Sequence, residues 1–231
     1  MDFFVDSLLS AILLLGSLDP ELLEIIGVSL KVSSTSTLIA SLVGIPAGFL
    51  ITFRAFRGKA LLITVLNTLL ALPTVVIGLF VYAFISRRGI FGHLDLLYTQ
   101  EAMIIGQVIL IIPIVTTFTI SAVSRIDERY RETALTLGAN ALQTAWIVFR
   151  EARFGLVAAV IMAFGRVIAE VGISMMLGGN AKGFTRNMTT AMALEYDKGE
   201  FILSVALGIV LLTVSFGMNI IFHYFQGKTR V

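Results

Sequence analysis

Two charged residues inside an otherwise apolar stretch are the first candidates for chemistry in this sequence. Arg166 and Glu170 stand near the middle of residues 154–178, one helical turn apart. An ion alone at a bilayer centre is strongly disfavoured, but at i and i+4 opposite charges share a helix face and can neutralise one another. The spacing leaves three roles open: a buried pair that locks helices together, a gate latch that breaks and re-forms, and a cation that draws an anion where Glu170 does not fully neutralise it. Just beyond lie Gly178-Gly179-Asn180, then Thr185, Asn187, Thr189 and Thr190. Glycine lets backbone approach a ligand closely, and amide and hydroxyl donors suit the oxygens of an oxyanion. Helix stops, caps and turns use the same residue types. An anion pathway or outer gate at Asn180, Thr185, Thr189 and Thr190 is therefore one reading of two.

Other chemistry finds little support. The sequence has no cysteine, and its two histidines, His93 and His223, are far apart, so no metal site is expected. Gly227-Lys228-Thr229 resembles the end of a phosphate-binding loop, but Phe222 stands where that loop needs its first glycine. No nucleotide or other cofactor is expected on this chain, and no catalytic residue.

The elements that must hold these residues are set by composition. Of 231 residues, 57% are hydrophobic and 14% charged, against about 25% charged in soluble domains. The mean hydropathy is +0.95. A formal net charge of +2 is too small to imply nucleic-acid binding. The expected solvent is a bilayer, and the fold class is an all-α membrane protein. Five apolar segments, roughly 27–53, 60–86, 102–123, 154–178 and 201–225, each reach the ~20 residues needed to span. Lysine and arginine set their orientation. Ten of them (Arg54, Arg57, Lys59, Arg125, Arg129, Arg131, Arg150, Arg153, Lys228, Arg230) lie on one set of connections, and five (Arg87, Arg88, Lys182, Arg186, Lys198) on the other. The richer set is expected inside, which puts the N-terminus outside and the C-terminus in the cytoplasm. Residues 1–24 are acidic and have no basic run before their apolar stretch, so a signal peptide is not expected. They read as an interfacial helix ahead of a transmembrane domain at 25–231, with a short sixth span as the alternative. Pro46, Pro73 and Pro113 fall within the first three spans as packing kinks or hinges. Ser36, Ala40, Gly44 and Gly48 leave one side of the first span nearly flat and suited to close helix packing.

The longest inner connection, 124–153, reads SRIDERYRETALTLGANALQTAWIVFREAR. Asp127 can cap a short helix, Gly138 can end it in a left-handed turn, and Asn140 with Gln143 forms a capping box for a second helix. A helix–glycine–helix elbow is expected. Glu132-Thr133-Ala134, three residues, then Gly138 resembles the EAA loop of ABC importer permeases, whose pattern is E-A-A, three residues, G, nine residues, I-x-L-P. Val148 stands in place of the isoleucine, and Arg150-Glu151 in place of Leu-Pro, so the second half of the motif is degenerate. Residues 66–82, 165–180 and 185–201 are similar to the oxyanion branch of that family, and most of all to its tungstate-type members.

The resemblance implies a type I ABC importer permease fold with five core transmembrane helices. It implies a transport subunit of the prokaryotic inner membrane that is not itself an enzyme, works by alternating access as a homodimer, and carries an oxyanion. Tungstate is the leading cargo, with molybdate or sulfate as alternatives. Two ATPase subunits, which bind ATP and Mg, would dock at Glu132, Thr133, Ala134 and Gly138, and an external oxyanion-binding protein would deliver the anion. From a different class, a stand-alone anion channel or secondary carrier would need no ATPase and no elbow.

Overall fold

The computed structural model describes residues 2–228, with side chains described for 9–225. Helices α1 (Asp2–Gly16), α2 (Pro20–Phe53), α3 (Lys59–Leu69), α4 (Thr74–Ile85), α5 (Gln100–Ser124), α6 (Glu128–Thr136), α7 (Ala141–Ile168), α8 (Met188–Lys198) and α9 (Phe201–Lys228) follow in order, with no strand among the described residues. Helices satisfy their own backbone hydrogen bonds, which hydrocarbon cannot do for them.

Helix α2 begins at Pro20 rather than near residue 27. Pro20 is tolerated at the first position, and the Asp19 carboxylate accepts from the N–H groups of Glu21 and Leu22 at 2.9 and 3.1 Å. The N-terminal segment therefore ends at Gly16 and not at residue 24. The fifteen residues of α1 reach about 22 Å at 1.5 Å each, short of the ~30 Å hydrocarbon core. Ala11, Leu14 and Leu15 pack into a core with Ala206 and Leu207 of α9. The acidic pair Asp2 and Asp6 lies outside the described side chains.

The flat stripe of α2 meets α5. A Cβ on Gly44 would stand 2.9 Å from the Val115 Cβ, and one on Gly48 would stand 2.6 Å from the Thr119 Cβ. Only a missing side chain allows these two helices to come so close. Pro46 and Pro113 sit inside unbroken helices.

The second and fourth apolar segments depart from expectation, because neither is one continuous helix. Between α3 and α4 the chain bends by 100°. Pro73 has no N–H to donate and disfavours helical backbone in the residue before it; it adopts ψ 129 and becomes the N-cap of α4. In the fourth segment α7 ends at Ile168, and a separate π-helical turn, Ser174–Gly178, follows. By length and apolarity α2, α5 and Phe201–Phe225 of α9 each suffice to cross a membrane, with the bent α3–α4 pair as a fourth crossing if counted as one. Leu38, Leu42, Leu79, Phe80, Leu212 and Phe216 point outward, as lipid-facing residues do.

Because α2 and α5 meet this closely, Gly48→Leu overpacks the contact, and we expect about 1–3 kcal/mol of lost stability in the detergent-solubilised protein. A Cβ on Gly27 meets nothing within 4 Å, so Gly27→Ala serves as the control and should unfold at the wild-type temperature or slightly above. Equal melting of Gly48→Leu and wild type would contradict the contact.

Candidate functional site

The expected elbow forms as its residues dictate. The Asp127 carboxylate accepts from the Arg129 N–H at 2.9 Å and starts α6. Gly138 takes φ +82, the left-handed turn that L-side chains avoid. Asn140 and Gln143 then exchange reciprocal hydrogen bonds of 2.9 and 2.8 Å and start α7. Glu132 and Thr133 are exposed, while Ala134 is buried. What spacing did not single out is the apolar surface around the turn. Leu137, Leu142 and Trp146 are 82%, 83% and 65% exposed, and with Gly138, Ala139 and Ile147 they line a cleft of about 670 Å³. The signal was available, as an unusually apolar run in a connection flanked by arginines. Trp146 stacks on Phe149 with centroids 5.5 Å apart, and Phe149 leans on Phe49 of α2 at the same distance. The elbow is thereby fixed to one end of the bundle, and exposed apolar surface of this kind is a place where another protein, a membrane or a ligand can bind.

The break in the fourth segment is organised by Glu170. Its side chain is 2% exposed, and its carboxylate accepts from the N–H groups of Ile173 and Ser174 at 3.0 and 3.2 Å. The Glu170 carbonyl, released from the helix, accepts from the Thr189 hydroxyl at 2.8 Å. Gly172 lies against α4, where a Cβ would be 3.0 Å from Thr74 Oγ1. The two broken segments thus meet at their breaks.

The expected pairing of Arg166 with Glu170 does not form. Helix α7 stops between them, so i,i+4 geometry is lost, and no ion pair joins them. Glu170 uses its charge on backbone N–H groups instead. Arg166 is exposed and lines a cavity of about 500 Å³ between α5, α7 and α9.

The polar cluster after the fourth segment is also used up inside the fold. Thr185 donates to the Gly178 carbonyl at 2.6 Å and accepts from the Ala181 N–H at 3.0 Å. Asn187 caps α8 through the Thr190 N–H at 2.9 Å, and Thr190 returns the bond by accepting from the Asn187 N–H at 3.1 Å. Thr185, Thr189 and Thr190 are all buried, so they are not free donors for an anion; this corrects the pathway reading of those three. Asn180 takes φ +52 and donates to the Thr190 carbonyl at 3.3 Å. Ion pairs staple this cap to α2. Glu21 meets Lys182 at 2.7 Å and Arg186 at 3.6 Å, and Glu195 meets Arg186 at 3.8 Å and Lys198 at 2.9 Å. Among the described residues, no group of three His, Cys, Asp or Glu is placed to hold a metal ion.

An elbow with exposed apolar side chains, at one end of a bundle of apolar helices, is compatible with an importer permease. The profile of the family "Binding-protein-dependent transport system inner membrane component" matches residues 40–231. The chain belongs to this family. It is accordingly a multi-pass inner-membrane permease subunit of an ABC importer, a transport component and not an enzyme, and the stand-alone channel or carrier is set aside. The tungstate uptake system permease TupB of Peptoclostridium acidaminophilum is 39% identical over 98% of this chain and 99% of its own length. TupB of Campylobacter jejuni is 37% identical over 96% and 93%, and the molybdenum permease ModB of Escherichia coli is 29% identical over 85% and 93%. An inward-facing MetNI methionine ABC transporter structure superposes with a TM-score of 0.72 at 16% identity, covering 90% of this chain and 96% of that one. That likeness shows a shared fold.

Since Glu170 caps two buried N–H groups, Glu170→Leu leaves both unpaired and should cost about 2 kcal/mol or more in the solubilised permease. Glu170→Gln keeps one acceptor and should lose less than half as much. Two variants as stable as the wild type would show that the carboxylate is not holding the break.

Proposed function

We propose that this permease imports tungstate, as a homodimer whose elbows engage two ATPase subunits binding ATP and Mg, and that an external binding protein delivers the anion. The observation that carries the cargo is the 39% identity to a tungstate permease across nearly the whole of both chains, compared with 29% to a molybdenum permease. The ATPase reading rests on the exposed Leu137, Leu142 and Trp146 around Gly138. In this scheme closure of the ATPases draws the two elbows together and turns the cavity outward, and the change is productive because substrate affinity differs between the two states. The arginine-rich connections lie inside, with the N-terminus outside and the C-terminus in the cytoplasm.

Reconstitution of the permease with its ATPase and binding protein in liposomes tests the cargo. ATP-dependent tungstate uptake should outcompete equal molybdate and sulfate, and preferential uptake of either of those would replace tungstate. In the same preparation Leu142→Asp should reduce binding-protein-stimulated ATP hydrolysis at least tenfold, a coupling loss of about 1.4 kcal/mol, without loss of membrane insertion. Unchanged hydrolysis would remove the docking role from this surface. Single cysteines at Lys182→Cys and Asn140→Cys should label from opposite sides of the membrane, and labelling from one side would overturn the orientation.

A further inference from the structure

The cavity between α5, α7 and α9 holds a charge that the fold leaves uncompensated. Arg166 is exposed in the single chain and, among the described residues, has no ion-pair or hydrogen-bond partner. Lining the same cavity are Ser215 and Asn219 of α9, one turn apart on one face. Neither has a hydrogen-bond partner among the described residues. Other α9 hydroxyls do: Ser204 donates to the Met192 carbonyl at 3.2 Å and Thr213 to the Ile209 carbonyl at 2.8 Å. A Cβ added to Gly165, next to Arg166, would meet nothing within 4 Å, so there is room beside the guanidinium. No Asp or Glu lines the cavity, and Glu170 is committed to the N–H groups of Ile173 and Ser174.

A guanidinium at this depth is disfavoured against lipid, and ionisable residues in spans face bundle interiors or water. The open side of the cavity must therefore face water or a second copy of the chain. Its chemistry is a fixed cation with a hydroxyl and an amide, which together offer charge-assisted and neutral hydrogen bonds to the oxygens of an anion. We propose that Arg166, Ser215 and Asn219 form a transit site for the oxyanion, completed by the same three residues of a second copy. This deepens the oxyanion-importer reading and rests on it. One cation and two neutral donors per chain make a weak site, and a site on a pathway must let its ion leave.

The test uses the assembled transporter in phosphatidylcholine nanodiscs without ATP. In Ser215→Cys, the permease's sole cysteine should react with the anionic reagent methanethiosulfonate ethylsulfonate about tenfold faster than with its trimethylammonium counterpart, read by the mass of the permease chain. Adding Arg166→Gln should abolish that preference, and millimolar tungstate should slow the anionic reaction severalfold. No reaction with either reagent, or a preference indifferent to Arg166→Gln, overturns the site. Blocking by added phosphatidylglycerol with no effect of tungstate assigns the cavity to a lipid phosphate and also overturns it. In uptake, Arg166→Gln and Asn219→Leu should each lose at least fivefold while binding-protein-stimulated ATP hydrolysis stays within twofold, and Arg166→Lys should retain about a third of the rate. Should Arg166→Gln fail to assemble, Asn219→Leu and the tungstate effect on Ser215→Cys still decide the matter. If the wild type takes up no tungstate yet shows the labelling preference, the cargo reading fails and the anion site stands. If wild type and Arg166→Gln take up tungstate equally, the site fails and the cargo stands.

Discussion

Within hydrocarbon a backbone N–H or C=O has no water to turn to, and the shape of this permease follows from where its helices break and how each break is satisfied. Glu170 supplies both halves of one answer. Its carboxylate takes the N–H groups of Ile173 and Ser174, and its carbonyl takes the Thr189 hydroxyl. At the other break the chain tightens, with the N–H groups of Leu70, Ala71 and Leu72 bonding to carbonyls three residues back, and Pro73 removes one donor altogether. The breaks adjoin through Gly172 and Thr74.

The polar contacts around the breaks gather at one end of the molecule, and the elbow lies apart from them. At the fastened end, Thr185, Asn187, Thr189 and Thr190 tie the chain after the fourth segment to α8 and to the Glu170 carbonyl. The Met188 N–H donates to Ser29 of α2 at 2.7 Å, and the Glu21–Arg186–Glu195 chain of ion pairs lies above it. Exposed ion pairs are worth little singly, but Arg186 and Glu195 are nearly buried here and bridge separate elements. The elbow is held by Phe149 against Phe49 and leaves Leu137, Leu142 and Trp146 exposed.

Sequence and structure agree where the determining interaction is local. The elbow was legible residue by residue, because Asp127, Gly138 and the Asn140–Gln143 box act within a few positions of themselves. The α2 stripe was legible as well, since a four-residue repeat of small side chains can only face a close neighbour, although nothing in the sequence named α5. Apolar composition and segment length announced the membrane, and the EAA-like pattern announced the family.

Tertiary structure decided what the polar residues inside the membrane are for. From spacing alone Arg166 and Glu170 share a helix face, but once the helix stops at Ile168 a charge needed to cap N–H groups cannot also neutralise its neighbour. Thr185, Thr189 and Thr190 carry donors that spacing cannot distinguish from free ones, and only folding shows which carbonyls consume them. Nothing in the spacing of Ser215 and Asn219 within the apolar segment 201–225 singles them out, and only the fold brings them to the same cavity as Arg166. The sequence by itself determined the solvent, the helices, the elbow and the family, because those follow from composition and from contacts a turn or less apart. Which polar groups are spent and which remain free is a property of residues many positions apart, and it was settled only when the chain folded.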